Sequence, residues 1–511
     1  MKKIARILTG ISLCFCLTLI LSTSVSYAVS GKKHPILNVR LYYDATQLDP
    51  HYTGGADAPV VCQIYDSLVK FDGDNQMAVK PSLASSWEVS KDGKEWTFHL
   101  IETKFHDGTE FTADDVVFTI ERYKKSPFTA VKGHMLDHAE AIDKHNVKIY
   151  LKYPYPHFIR QLASWPWRIV SKAAVEKYGK GKKEMVIGTG PYKLEEWKVG
   201  QGVTLVSNKD YFEGEPYFEK IVMKVIADDT TAMVAFEKGE LDATAAGSGL
   251  DAQMFRKKSG YKVISIKRPA AYILAMNLKL SPMENKKLRQ AINHGIDKER
   301  FVQIALDGEG YADCDMLLSP YEEGYTEKAP KYEYDIKKAK ALIAESGLTQ
   351  SDLDKLDLTY TTASIGPRMA ATVQEFFAEV GIRLKMHPME LGSFIQAQQT
   401  GRYMMTIVQQ QSIPYNPVLT FNLYYKTGAY LNYARYKNPE IDKLIAKANS
   451  ELNDEKRVGY FKEATKIIRE EAYYAPICYV KTNMILPKQM KGMAWEPNTM
   501  ITKYCDWYWE E

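Results

Sequence analysis

Apolar and polar residues alternate in short stretches along most of the chain, and the period of that alternation changes from stretch to stretch. Leu37-Asn38-Val39-Arg40-Leu41 and Trp96-Thr97-Phe98-His99-Leu100 repeat every second residue, the pattern of strands with one buried face. Gly202 to Val206 and Ile221 to Ile226 predict two more strands. Between Ala58 and Val69 the apolar residues Val61, Ile64 and Leu68 recur at three- and four-residue spacing, which predicts a helix. Other helices announce their ends. Thr112 caps one whose third residue, Asp115, completes a capping box, and Val116, Val117 and Ile120 give it an apolar face. Asp229 to Lys238 reads as a helix closed by Gly239, and Asp335 to Ser346 as one capped by Asp335 and stopped by Gly347. Asn438 caps a further helix with Pro439 at its first position and Ile441, Leu444, Ile445 and Ala448 on one side. Strands alternating with helices predict an α/β architecture. No repeat of solenoid or propeller period occurs, and no Pro/Gly/Ser-rich linker divides the chain, so any lobes should be joined by ordered strands.

The amino end has a different pattern. Lys2, Lys3 and Arg6 precede an apolar run from Ile7 to Leu21, and Ser26-Tyr27-Ala28 supplies a small-x-small cleavage site. This predicts a signal peptide over residues 1–28, because the run falls short of the roughly 20 residues of a spanning helix. Cys14 follows Leu13 and Cys16 follows Phe15, both mid-run, so neither makes a lipid-attachment site. A secreted chain without a lipid points to a periplasm between two membranes.

Charge sharpens this picture. The 511 residues carry 67 Lys+Arg and 63 Asp+Glu, a formal charge of +4. The first 28 residues hold three of the basic groups and no acidic one, so the expected mature chain falls to +1. That balance excludes the basic footprint of a nucleic-acid binder. Cys62, Cys314, Cys478 and Cys505 are widely spaced, with no C-x-x-C and no His-Cys cluster, so no metal site is expected. Three complete disulfide pairings stay open. The chain has no G-x-x-x-x-G-K-[ST], H-E-x-x-H or G-x-S-x-G. Gly188-Thr189-Gly190-Pro191-Tyr192 lacks the third glycine of a dinucleotide loop, and Asp72-Gly73-Asp74-Asn75 is a turn rather than a calcium loop. A non-enzymatic role without a cofactor leads. The 34 Tyr and 8 Trp suit core packing and a ligand pocket alike.

Eight blocks in order resemble the large extracytoplasmic solute-binding proteins of ABC importers, family 5, the group of oligopeptide-, dipeptide- and nickel-binding proteins. They begin with Leu48-Asp49-Pro50-His51, Ile64 to Val69 and Pro81 to Trp87. Lys104-Phe105-His106-Asp107-Gly108 through Val116 is the most specific, and Gly188 to Tyr192 and Asn208 to Phe212 follow. Gly239-Glu240-Leu241-Asp242 and Leu288-Arg289-Gln290-Ala291-Ile292-Asn293 complete the set. The resemblance implies a two-lobed periplasmic-binding-protein fold of class II. Lobe I would cover residues 29–271, with an extra subdomain at about 72–185, lobe II 272–483, and 484–511 would return to lobe I. Crossings near Ala271–Asn277 and Val480–Ile485 would form the hinge. The implied activity is capture of a small solute, a peptide or other polar oligomer, and its delivery by a monomer to an inner-membrane ABC permease with its ATPase subunits. A secreted hydrolase using scattered acids or Cys62, or a sensor or chaperone on the same fold, is the alternative.

Candidate ligand contacts carry over block by block. His51, Thr53, Gly54 and Gly55 lie on a loop that faces the cleft in the family, and the glycines allow close backbone approach. Phe128 follows Ser126-Pro127, where peptide binders place an aromatic at the pocket edge. Tyr272 sits at the first crossing and Tyr479 near the second. Gln409, Gln410, Gln411, Ser412 and Tyr415 form the segment where peptide binders carry an Asp for the α-amino group; Ile413 or Pro414 stands there instead. A buried ammonium needs a charged or strongly polar partner, so this departure argues against free peptides, and the Gln run suits sugars, polyols or amides. For a metal chelate, His51 is the one candidate.

Overall fold

A computed structural model describes residues 36–510 apart from 54, 73–77, 131, 321, 414–415 and 494–502. The expected signal peptide, Gly54, Tyr415 and most of the Asp72–Asn75 turn therefore lie outside the described residues. Residues 36–510 belong to one compact unit. Three sheets organise it.

The first sheet has four strands in the order Ile36–Leu41, Lys220–Val225, Gly202–Ser207, Tyr192–Lys198. Its first pair is parallel and the others are antiparallel. Leu37, Val39, Leu41, Leu205, Ile221 and Met223 are buried in one cluster with Trp507 from the carboxyl end. The second sheet orders Ala84–Val89, Glu95–Leu100, Asn146–Leu151 and Leu136–Ala141. Here Trp96, Phe98 and Leu100 are buried while Thr97 and His99 are only partly so, as the two-residue period requires. The helix Ala113–Lys125 lies on it, and the Asp115 carboxylate accepts the Thr112 N–H at 3.0 Å.

The third sheet is built on two long antiparallel strands, Tyr261–Met276 and Tyr474–Pro487. The outer half of Tyr474–Pro487 pairs with the short strand Thr244–Ala245, and the inner half of Tyr261–Met276 pairs with Met405–Gln411. The ladder between them breaks from Lys267 to Ala271. The strands Asp357–Thr361 and Lys385–Met389 extend the inner end, and Val373, Phe376, Leu288 and Phe301 from flanking helices bury it. A second apolar cluster runs without interruption from Trp96, Phe98 and Phe158 to Phe421, Leu444 and Phe461. The second sheet is therefore packed against the carboxyl-terminal helices as well.

The helix expected over Ala58–Val69 stops at Ile64, with Tyr65 already extended. The reason is tertiary. The Gly190 N–H donates to the Ile64 carbonyl at 2.8 Å. A Cβ on Gly188 would lie 2.0 Å from that carbonyl oxygen, so only glycine permits the approach. His106 clamps the same loop: its Nδ1 accepts the Gly188 N–H at 3.3 Å and its Nε2 donates to the Gly190 carbonyl at 2.9 Å. The bond accepted at Nδ1 requires the neutral ring, and burial pushes its pKa down to about 4. The helices Asp229–Glu237, Ile336–Glu345 and Pro439–Ser450 match their expected positions within a residue or two, the last two capped by Asp335 and Asn438. Cys62, Cys314, Cys478 and Cys505 are in no disulfide in this structure.

Candidate functional site

A cavity with a volume of about 670 Å³ opens beside the first and third sheets. It is lined by Val39–Tyr43 at the end of the first strand, by Gly55, Ala56 and Pro59, and by Ala243–Gly249. Leu306, Asp307, Glu309, Ser364, Ile365 and Arg368 line it as well. Both long strands contribute, through Arg268 and Tyr272 and through Val480–Met484. A volume of several hundred Å³ is the scale of a small-molecule site.

Most of the charges around this cavity are neutralised. Arg40 donates to Asp229 at 2.8 Å and to the Ile226 and Ala227 carbonyls, and lies over the Tyr42 ring. Arg368 and Asp307 form a two-pronged pair at 2.9 and 3.0 Å. Burial would raise Glu309, but hydrogen bonds from Arg256, Lys481 and Asn483 outweigh it and hold the carboxyl at about 2. Arg268 differs. Among the described residues its one hydrogen-bond partner is the Gln411 side-chain carbonyl, at 3.1 Å.

Of the residues expected to touch ligand, Gly55 and Tyr272 line the cavity. Burial raises the Tyr272 phenol to about 12, so it is a neutral hydroxyl there. Gln411 reaches the cavity wall through Arg268. His51 does not line the cavity. It is fully buried, with Nε2 donating to the Arg168 carbonyl at 3.0 Å and Nδ1 accepting from Arg122 at 2.8 Å. Arg122 also pairs with buried Asp49. Burial first, and Arg122 second, push His51 down to about 4, so it is a neutral linker inside the fold. Thr53 is buried as well and donates to the Asp57 carboxylate. Gln410 is 1% exposed and donates to the Tyr425 hydroxyl at 2.5 Å. Ser412 donates to the Pro269 carbonyl and Tyr479 to the Leu318 carbonyl, both from buried positions. Gln409 is exposed, and Phe128 is 55% exposed; neither lines the cavity. Sequence reading passed over Arg40, Arg268, Asp307, Glu309 and Arg368. The one available signal was a charged residue, Arg268, set directly before Pro269 inside a long strand.

Residues 78–432 match the family described as bacterial extracellular solute-binding proteins, family 5. The chain belongs to this family. It is similar to the oligopeptide-binding protein AppA of Bacillus subtilis, at 28% identity over 492 residues, covering 89% of this chain and 88% of that one. Among solved structures it resembles NikA from Brucella suis in complex with Fe(III)-EDTA, with a TM-score of 0.84 and 26% identity over 93% of this chain and all of that one. It also resembles the ABC transporter substrate-binding protein CtaP from Listeria monocytogenes, with a TM-score of 0.83 and 25% identity, covering 94% and 100% of the two chains. The two-lobed α/β fold and the solute-binding role follow from this membership, and the family consists of binding proteins rather than enzymes. Among the described residues no helix is long and apolar enough to cross a membrane.

Proposed function

We propose that this family 5 member works as a monomer in the periplasm, once residues 1–28 are removed, and hands a small polar solute to an inner-membrane ABC permease. The observation that carries the proposal is the 670 Å³ cavity, lined by segments far apart in the chain and by both long strands. Lobe I would comprise the first and second sheets, and the break in the ladder between Lys267 and Ala271 would mark the hinge. Ligand touching both lobes stabilises the closed arrangement by its difference in affinity for the two states, and no more. The test uses protein refolded free of ligand, with peptides, sugars, phosphorylated polyols and metal chelates added in turn. Ligand at a hundredfold excess over Kd should add about 2.7 kcal/mol of stability, read as a higher melting temperature, with no chemical change in the compound. Product formation, or a panel with no stabilising compound, would refute the reading.

A further inference from the structure

We infer that the cavity selects solutes bearing an oxyanion, a carboxylate or a phosphoryl group seated on Arg268, and that it makes no provision for a ligand ammonium. This rests on the cavity being the solute site. Four cationic side chains line it, Arg40, Arg268, Arg368 and Lys481, against two acidic ones, Asp307 and Glu309. Three of the cations already have carboxylate partners: Asp229, Asp307 and Glu309 respectively. Arg268 has none among the described residues, and its neutral contact to Gln411 leaves most of its five donors unengaged. A half-buried guanidinium keeps its charge and is costly to leave without a counterion, whereas a ligand oxyanion would satisfy it with charge-assisted bonds. The helix Gly366–Glu379 begins beside the same cavity, which Ser364 and its N-cap Ile365 line, and it has no side-chain cap. Its positive end adds to the field that favours an anion. The opposite charge finds no such place. Asp307 is held by Arg368, and Glu309 by Lys481, Arg256 and Asn483, so neither acid is free for an ammonium.

The test is calorimetric titration of refolded protein with matched probes. N-acetyl-alanyl-alanine is compared with its C-terminal amide, glycerol 3-phosphate with glycerol, and zwitterionic alanyl-alanine with its N-acetyl form. At least one anionic probe should bind about 10- to 100-fold more tightly than its neutral partner, the loss expected for one charge-assisted contact. The carboxylate and phosphoryl arms identify which oxyanion the site takes. N-acetylation should leave affinity unchanged or improve it. Arg268→Gln should remove the anionic advantage, and Arg268→Lys should retain part of it, with the unliganded melting temperature of both near wild type. Neutral probes binding as tightly as anionic ones, a requirement for the free amine, or full anionic preference in Arg268→Gln would each overturn the inference while leaving the solute cavity standing. If no probe binds at all, both the inference and the cavity's role as a solute site fall.

Discussion

Gln410 and Gln411 are adjacent and chemically identical, and they should respond to substitution in opposite ways. Gln410 lies on the strand Met405–Gln411 with its side chain turned inward. Its amide donates to the Tyr425 hydroxyl, and that tyrosine is itself 1% exposed. In Gln410→Ala the lost bond costs about 1 kcal/mol and the stranded phenol about 1–3 kcal/mol more. The void, ~50 Å³ at about 24 cal/mol per Å³, adds about 1 kcal/mol. Against this, Gln410 Oε1 has no partner in the native state, and removing it returns about 1–2 kcal/mol. The net loss is about 2–3 kcal/mol. Gln410→Met, which fills the space without the bond, should lose about half as much. Gln411 is half-buried and bonded to Arg268, so Gln411→Ala should leave stability within about 0.5 kcal/mol while weakening anionic probes severalfold. The assay is urea unfolding of refolded, unliganded protein, read by tryptophan fluorescence, beside calorimetric titration of each variant. An unchanged urea midpoint for Gln410→Ala together with lost affinity would refute the reasoning, because it would put that side chain in the cavity.

Burial raises the Glu322 carboxyl to about 7, outweighing the lowering effect of hydrogen bonds from the Ser319 hydroxyl and N–H. The folded state therefore holds a proton that the unfolded chain has released, so this contribution to stability is full below about pH 4.5 and is lost as pH rises to 7. The stability difference between wild type and Glu322→Gln should shift against wild type by about 3 kcal/mol from pH 5 to pH 8, and parallel melting curves would contradict this. Asn416 caps the helix Pro417–Tyr424 and donates to the Tyr155 hydroxyl at 2.9 Å and to Gln161 Oε1 at 3.1 Å. Asn416→Ala should cost about 2–3 kcal/mol and detach the segment after the second sheet from this helix, seen as faster amide exchange on both sides; exchange confined to the helix would mean that the cap alone matters.

The parts of the fold that sequence reading reached are those where the physics is local. Asp335, Asn438 and Thr112 were legible as caps because a side chain that satisfies an N–H two or three residues later needs nothing else from the fold. The alternation in Glu95–Leu100 was legible because a strand turns successive side chains to opposite faces. The helix after Ala58 was placed correctly at its start and carried too far at its end. Its apolar spacing continues to Leu68, but a loop more than a hundred residues away takes the Ile64 carbonyl.

The candidate site divides along the same line. Sequence by itself pointed to the family, the α/β class and the Gln run as a candidate contact; the strand Met405–Gln411, which turns Gln410 away from its neighbours, came from the structure. Only the tertiary structure decided which of those faces is covered, by setting Tyr425 over Gln410. It also withdrew His51 from the site by enclosing it between Arg122 and Arg168. Arg268 is the clearest case. Its residue type is plain in the sequence, but its significance lies in having no counterion. That depends on where Asp229, Asp307 and Glu309 spend their charges, and an ion pair is fixed by distance in space, which the order of residues along the chain does not record.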